Sequence, residues 1–343
     1  MRLPTMTRRS RRHERADGLP RHRSRRLILA GAAAASLAAA TAGAGPALAA
    51  PVKAAGTART AVPGGTAPYW TTVALHGHQI KVHPHGRFGV VHETGRQAAR
   101  RAPQAGSNLI YNGGPVAHAP TVYLDFWGSQ WNSDGNGVSQ YMQSFFGGLG
   151  ASGDNWSTIT SQYTDSSGSG PAFGGPVLGG TWFDSGGAAP SSASQGQLAA
   201  EAVTAAQHFG ASGDNIDIFV LSPSGTQPDG FPSAGFCAWH DYTSSSSGNV
   251  PYTNMPYVLD AGSSCGANSV QSQLDGFSIV GGHEYAEAIT DPEPASGWLD
   301  SSGAENGDKC AWQNLSALNL STGSFAVQPT WSNHDNGCTL SAP

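Results

Sequence analysis

Apolar positions in residues 105–343 follow two rhythms. Short runs rich in β-branched and aromatic side chains, bounded by Gly, Pro, Asn and Ser, predict strands at 121–127, 177–183, 216–221, 256–260 and 324–328. Apolar residues three and four apart predict helices at 138–146, 156–163, 194–208 and 276–289. Strands that alternate with helices indicate an α/β domain, with α+β as the alternative. The hexapeptide Gly-Ala-Ser-Gly-Asp-Asn occurs at both 150–155 and 210–215. Each copy follows a helical stretch, which predicts helix-stopping loops and not a structural repeat.

The polar positions inside the last predicted helix carry the chemistry. In His283-Glu284-Tyr285-Ala286-Glu287, His283 and Glu287 stand one turn apart on one face, so an imidazole nitrogen and a carboxylate oxygen can converge on one metal ion. Glu284 lies about 100° around the helix axis, where it can act as general base on a metal-activated water. Asp291-Pro292 then stops the helix. The common zincin pattern has His where Glu287 stands. The plainer alternative is that these residues form a solvated polar face.

A catalytic zinc usually takes three protein ligands and leaves one position for water. Asp291 sits at the unwinding end of the helix. Glu305 and Asp308 are better placed, because residues 292–297 and 301–303 can turn the chain back. Glu305 is preferred as third ligand, with Asp308 next. One imidazole among carboxylates points first to Zn2+, with Ca2+ or Mn2+ as alternatives. His240, His334 and Tyr285 are further groups able to polarise a carbonyl or supply a ligand.

This motif helix and the downstream Glu305-Asn306-Gly307-Asp308-Lys309-Cys310 turn are joined by three other distinctive stretches: Leu109-Ile110-Tyr111-Asn112-Gly113-Gly114-Pro115, Thr121-Val122-Tyr123-Leu124-Asp125-Phe126-Trp127-Gly128 and Gln328-Pro329-Thr330-Trp331-Ser332-Asn333. Together they resemble a group of secreted bacterial proteins with a His-Glu-x-x-Glu motif, distantly related to the plant Exordium (phosphate-induced) family. The resemblance runs from residue 108 to the C-terminus. It implies a zincin-like α/β fold, a single catalytic domain with a mixed sheet and a metal-binding active-site helix.

Residues 1–49 read as a signal peptide. Ten arginines precede Leu27, an alanine-rich apolar run follows to Ala44, and Ala47-Leu48-Ala49 offers small residues for cleavage. Arg25-Arg26 with its flanks fits a twin-arginine signal as well as an ordinary one. Residues 50–104 form a basic, histidine-bearing segment containing His76, His78, His83, His85 and His92, and end near Arg100-Arg101. They read as a propeptide or a linker.

From residue 102 onward, Lys309 is the single Lys or Arg against fifteen Asp and five Glu. Phosphate binding needs clustered Lys and Arg, so nucleic acid and anionic membrane surfaces are excluded as partners. With so few ion pairs to break, such a domain is expected to tolerate acid. A monomer is expected.

Cys237, Cys265, Cys310 and Cys338 lack Cys-x-x-Cys spacing and sit in a chain addressed for export, which predicts two disulfides. Pairing Cys237 with Cys265 and Cys310 with Cys338 would close two loops of equal separation, and other pairings stay open. Asn132-Ser133-Asp134-Gly135-Asn136-Gly137 resembles half a calcium loop, but Gln143 stands where the bidentate carboxylate belongs, so it reads as a turn. Gly262-Ser263-Ser264-Cys265-Gly266 matches the Gly-x-Ser-x-Gly elbow only formally. The expected function is a secreted metal-dependent hydrolase acting on a peptide or protein substrate. The alternative is a non-catalytic extracellular or cell-surface binding protein on a degenerate zincin scaffold, and a structural calcium protein is a third reading.

Overall fold

The computed structural model describes residues 70–97 and 107–342. The expected signal peptide and Arg100-Arg101 lie outside the described residues. In chain order the early strands are β1 (Thr71–Leu75), β2 (His78–Val82), β3 (Phe88–His92), β4 (Ile110–Tyr111) and β5 (Thr121–Trp127). The central ones are β6 (Leu178–Asp184), β7 (Ile216–Leu221), β8 (Phe236–Ser245), β9 (Gly248–Met255) and β10 (Trp298–Leu299). The last four are β11 (Ser316–Leu320), β12 (Gly323–Val327), β13 (Thr330–Ser332) and β14 (Gly337–Thr339). The helices are α1 (Thr94–Gln97), α2 (Val138–Gly148), α3 (Gln195–Phe209) and α4 (Asp275–Ala288).

A six-stranded sheet with order β3-β8-β9-β7-β5-β6 organises the fold. β6, β5, β7 and β9 run parallel, while β8 and the edge strand β3 are antiparallel to their neighbours. Mixed α and β structure is therefore as expected. Because side chains alternate along a strand, the sheet separates two faces. Tyr123 of β5 meets Phe209 of α3 on one face, whereas Phe219, in register with Leu124, meets Phe146 of α2 on the other. Met142 and Phe146 of α2 lie against Gly281 of α4, so α4 shares the face of α2.

Four of the five expected strands and three of the four expected helices form close to their expected bounds. Residues 256–260 do not extend a strand. Asp260 accepts hydrogen bonds from Ser224 Oγ and Gly225 N, and the chain winds as a 3-10 turn over Val258–Cys265. Residues 156–163 form a 3-10 helix at Ser157–Gln162, not an α-helix. There Asp154 accepts from Trp156 N and Ser157 N, and Thr160 bonds back to Ser157 O, so side chains compete for the backbone groups an α-helix would use.

Both hexapeptides are loops that follow helices, with Gly150 and Gly210 left-handed as a helix stop requires. Asp134 caps α2 through Val138 N and Ser139 N, in keeping with a turn. The disulfides are Cys237–Cys265 and Cys310–Cys338. They fit the oxidising compartment expected of an exported chain. Among the described residues, no helix is long and apolar enough to cross a membrane.

Candidate metal centre

α4 is buried on every side, and His283, Glu284 and Glu287 are each 0% exposed. That removes the solvated-face alternative, since an unpaired charge is rarely tolerated at such depth. The end of the helix is held by Asn306, whose amide donates to Ala286 O and Thr290 Oγ1. This brings the downstream turn beneath the motif. Asp291 plays another part, accepting from Ala295 N, Ser296 N and Gly297 N to fold the chain after the helix.

Two groups of side chains meet at Glu287. In the first, His283 Nε2 lies 2.9 Å from Glu287 Oε1 and 3.9 Å from Asp308 Oδ1. In the second, His240 of β8 places Nδ1 3.1 Å from Glu284 Oε2 and 3.7 Å from Glu287 Oε2. Glu305, the preferred third ligand in the sequence reading, joins the second group, with Oε1 3.6 Å from His240 Nε2. Asp308 faces His283. Gly307 must be glycine-like for this turn to approach, because a Cβ there would stand 2.8 Å from Glu287 Oε1 and 3.0 Å from the His283 ring.

Gln328, just beyond β12, orients His283. Its amide nitrogen donates to Gly307 O, which turns its Oε1 toward His283 Nδ1 at 3.2 Å. A carbonyl oxygen only accepts, so Nδ1 is the donor of that pair and Nε2 is the nitrogen left to face the carboxylates. Nε2 faces Glu287 Oε1, which also accepts from Asp308 N at 2.7 Å. Two such atoms at this separation need a positive centre between them, a proton or a metal ion. The ring nitrogens His283 Nε2 and His240 Nε2, with Glu284 Oε1, Glu287 Oε2 and Glu305 Oε1, are buried without hydrogen-bond partners.

The electrostatics follow from this crowding. Burial, and after it the carboxylates of Asp308 and Glu305, hold Glu287 well above the usual carboxylate range. Burial pushes Glu284 up to about 8 against the pull of its His240 hydrogen bond. For His240 burial alone would favour the neutral ring, but Glu305 and Glu284 outweigh it and raise the imidazole well above its ordinary value. A donor set of imidazoles and carboxylates, short of positive charge and with unpartnered atoms turned inward, fits a divalent cation.

No family model, curated protein or solved structure matches this chain. The site is therefore interpreted from its own geometry.

Of the remaining candidates, His334 is exposed beside Asp335, and the Tyr285 ring packs against Phe146 and Trp156. Neither joins the groups around Glu287. The part taken by His240 was only partly legible, because a lone histidine carries no spacing signal and β8 itself was not anticipated. Gln328 gave no sign of a role beyond belonging to a distinctive run. Gly89 of β3, at φ +46°, was also missed: its backbone passes so close that a Cβ would overlap the His240 ring and Glu287 Oε2.

Proposed function

We propose that the protein is a secreted, zincin-like metal-dependent hydrolase acting on peptide bonds, with His283, Glu287 and Asp308 holding Zn2+. The observation that carries this reading is Nε2 of His283, oriented through the Nδ1 contact to Gln328 and turned toward the Glu287 carboxylate. Asp308 is assigned in place of Glu305 because it faces His283, whereas Glu305 faces His240. When bound, zinc supplies Lewis acidity to a scissile carbonyl and lowers the pKa of water.

The remaining chemistry belongs to the chain. Glu284 has one oxygen held by His240 and the other, Oε1, without a partner. That free oxygen takes a proton from the attacking water as the water oxygen bonds to the carbonyl carbon. The same proton passes to the leaving amine as the C–N bond breaks. His240 is a positioning residue that holds Glu284 by a 3.1 Å hydrogen bond.

In the folded chain β3 runs along the outer side of β8 and lays Gly89 against His240 and Glu287. Within the basic segment β3 then acts as an inhibitory strand, and a cut after Arg100-Arg101 frees it to leave the site while the β1–β2 hairpin stays on α3. The test is to nick the intact protein with trypsin, quench the trypsin, and measure cleavage of a peptide library beside metal content. Glu284→Gln should lower turnover by about 10²–10⁴-fold with metal retained. Metal binding without turnover in nicked wild-type protein would favour a non-catalytic binding protein.

A further inference from the structure

A second histidine–carboxylate cluster lies on the opposite face of the sheet. Asp125 of β5 is in register with Trp182 of β6, and Trp127 with Asp184, so the two aspartates project from the same face two residues apart. α3 covers that face. Its start is fixed by a capping box between Ser194 and Gln197, which sets the helix so that Glu201 is fully buried. His76 reaches the same point from the tip of the β1–β2 hairpin, with Nε2 3.1 Å from Asp184 Oδ2 and 3.3 Å from Glu201 Oε2.

The polar accounting of this cluster does not close within the chain. Asp125 is 0% exposed, and neither of its oxygens meets a donor other than the Glu201 carboxyl. Glu201 Oε1 is buried without a partner, and Asp184 Oδ2 has only His76. Burial, followed by the charges of Asp125 and Asp184, pushes Glu201 up to about 11, and burial raises Asp125 well above the carboxylate range. Three carboxylates thus face one imidazole. Three basic side chains of the described residues are committed elsewhere: Arg87 to Asp229, Lys309 to Asp300, and Lys81 over the Trp70 ring.

The hairpin geometry adds to this. Leu75 pairs with His78, leaving His76 and Gly77 as a two-residue turn with φ +48° and +78°. Such turns favour Asn or Gly at the first position, and histidine there gives up backbone energy to deliver its ring to the cluster. His76 also lines a solvent-open cleft with Leu75, Gln79, Val203 and Gln207, so the histidine of the cluster is in contact with solvent while its carboxylates are not in that lining.

We propose that His76, Asp184, Glu201 and Asp125 form a second divalent-cation site, separate from the α4 centre, which takes a first-row ion such as Zn2+ or Mn2+ and staples the β1–β2 hairpin to α3. Imidazole together with carboxylates suits these ions, and one such charge answers the unpartnered oxygens at once. Its three carboxylates are buried and none lines the neighbouring cleft where a substrate could reach them, so its role is structural.

The test uses the full exported chain, stripped of metal and titrated with Zn2+ and with Mn2+. Bound ion is counted by elemental analysis, and melting temperature is followed. The His283→Ala background disables the α4 centre, so failure of the peptidase reading leaves this measurement intact. That variant should retain about one equivalent of ion and gain about 5–10 °C when the ion stands near 100 times its Kd. Adding Glu201→Gln should remove both effects. Should the double variant fold poorly, His76→Ala changes only a hairpin-tip side chain and should still weaken binding at least ~10-fold. Equal ion binding with and without Glu201→Gln or His76→Ala would overturn the proposal. So would a gain in melting temperature from Glu201→Gln that is the same with and without ion, which would identify a proton-sharing network.

Discussion

The clusters on the two faces of the sheet use the same chemical groups and differ in what holds them. Around α4, both histidines are buried in regular elements, and His283 has its far nitrogen fixed by Gln328. Around α3, the carboxylates are equally buried, but the histidine comes from a hairpin tip and its side chain is 27% exposed. Glu284 and Glu201 each have one oxygen held by a histidine and the other without a partner, but the histidine that holds Glu284 is buried and the one that holds Glu201 is partly exposed. On the proposed reading, ligand composition alone does not separate a reactive centre from a structural one, whereas the fixing of ligand orientation does.

The sharpest way to break this contrast is to remove one histidine from each face. His283→Ala should abolish peptide cleavage by the nicked protein, whereas His76→Ala should leave turnover within about twofold and lower thermal stability instead. Loss of turnover in both variants would make the clusters one functional unit. Next in size is the support of the ligand. Gln328→Leu should weaken zinc binding by about 10–100-fold with the fold retained, as expected when a group orienting a metal-bound histidine is lost. Isothermal titration of stripped protein measures this. Unchanged affinity would mean that the His283 ring is oriented without Gln328.

A smaller effect concerns the strand that lies on the α4 cluster. Gly89→Ala combines a left-handed φ with overlap onto His240 and Glu287, and should cost about 2 kcal/mol in denaturant unfolding while making β3 easier to displace. The α3 cluster should keep its ion in this variant. Smallest is an effect that touches neither cluster. Burial would raise Asp300, but hydrogen bonds from Ser302, Lys309 and Ala304 outweigh it and bring the carboxyl down to about 2. A lowered carboxylate contributes stability that is present above its unfolded value and is lost as pH falls from about 4 through about 2. With solvent screening the contribution is about 1 kcal/mol, so Asp300→Asn should lose that much at pH 6 and almost nothing at pH 2. A constant difference across this range would show that the Asp300 charge does not matter.

How far the sequence revealed all this depended on whether a signal was local. Helix α4 and its His-Glu-x-x-Glu spacing were plain, as were β5 and β7, because continuous apolar runs bounded by turns survive burial on both faces. β8 and β9 were not. Phe236 to Asp241 is buried throughout, so no alternation marks the strand, and Pro251 interrupts the pattern of β9. With β8 unseen, nothing could place His240 beside Glu284. The preference for Glu305 over Asp308 rested on separation along the chain, while the turn that decides which carboxylate meets His283 depends on the close approach of Gly307. The α3 cluster gave no motif, since its four residues come from four segments, of which sheet register relates only Asp125 and Asp184.

Lys309, the one basic side chain from residue 102 onward, is 1% exposed and lies between Asp300 and the Trp331 ring. In a milieu of trypsin-like proteases the folded domain thus presents no accessible basic residue to cut after, although the segment before it offers several. On the proposed reading, an enzyme that cuts after Arg100-Arg101 would leave everything from residue 102 onward intact, so the substrate itself sets the boundary and no specialised protease is needed.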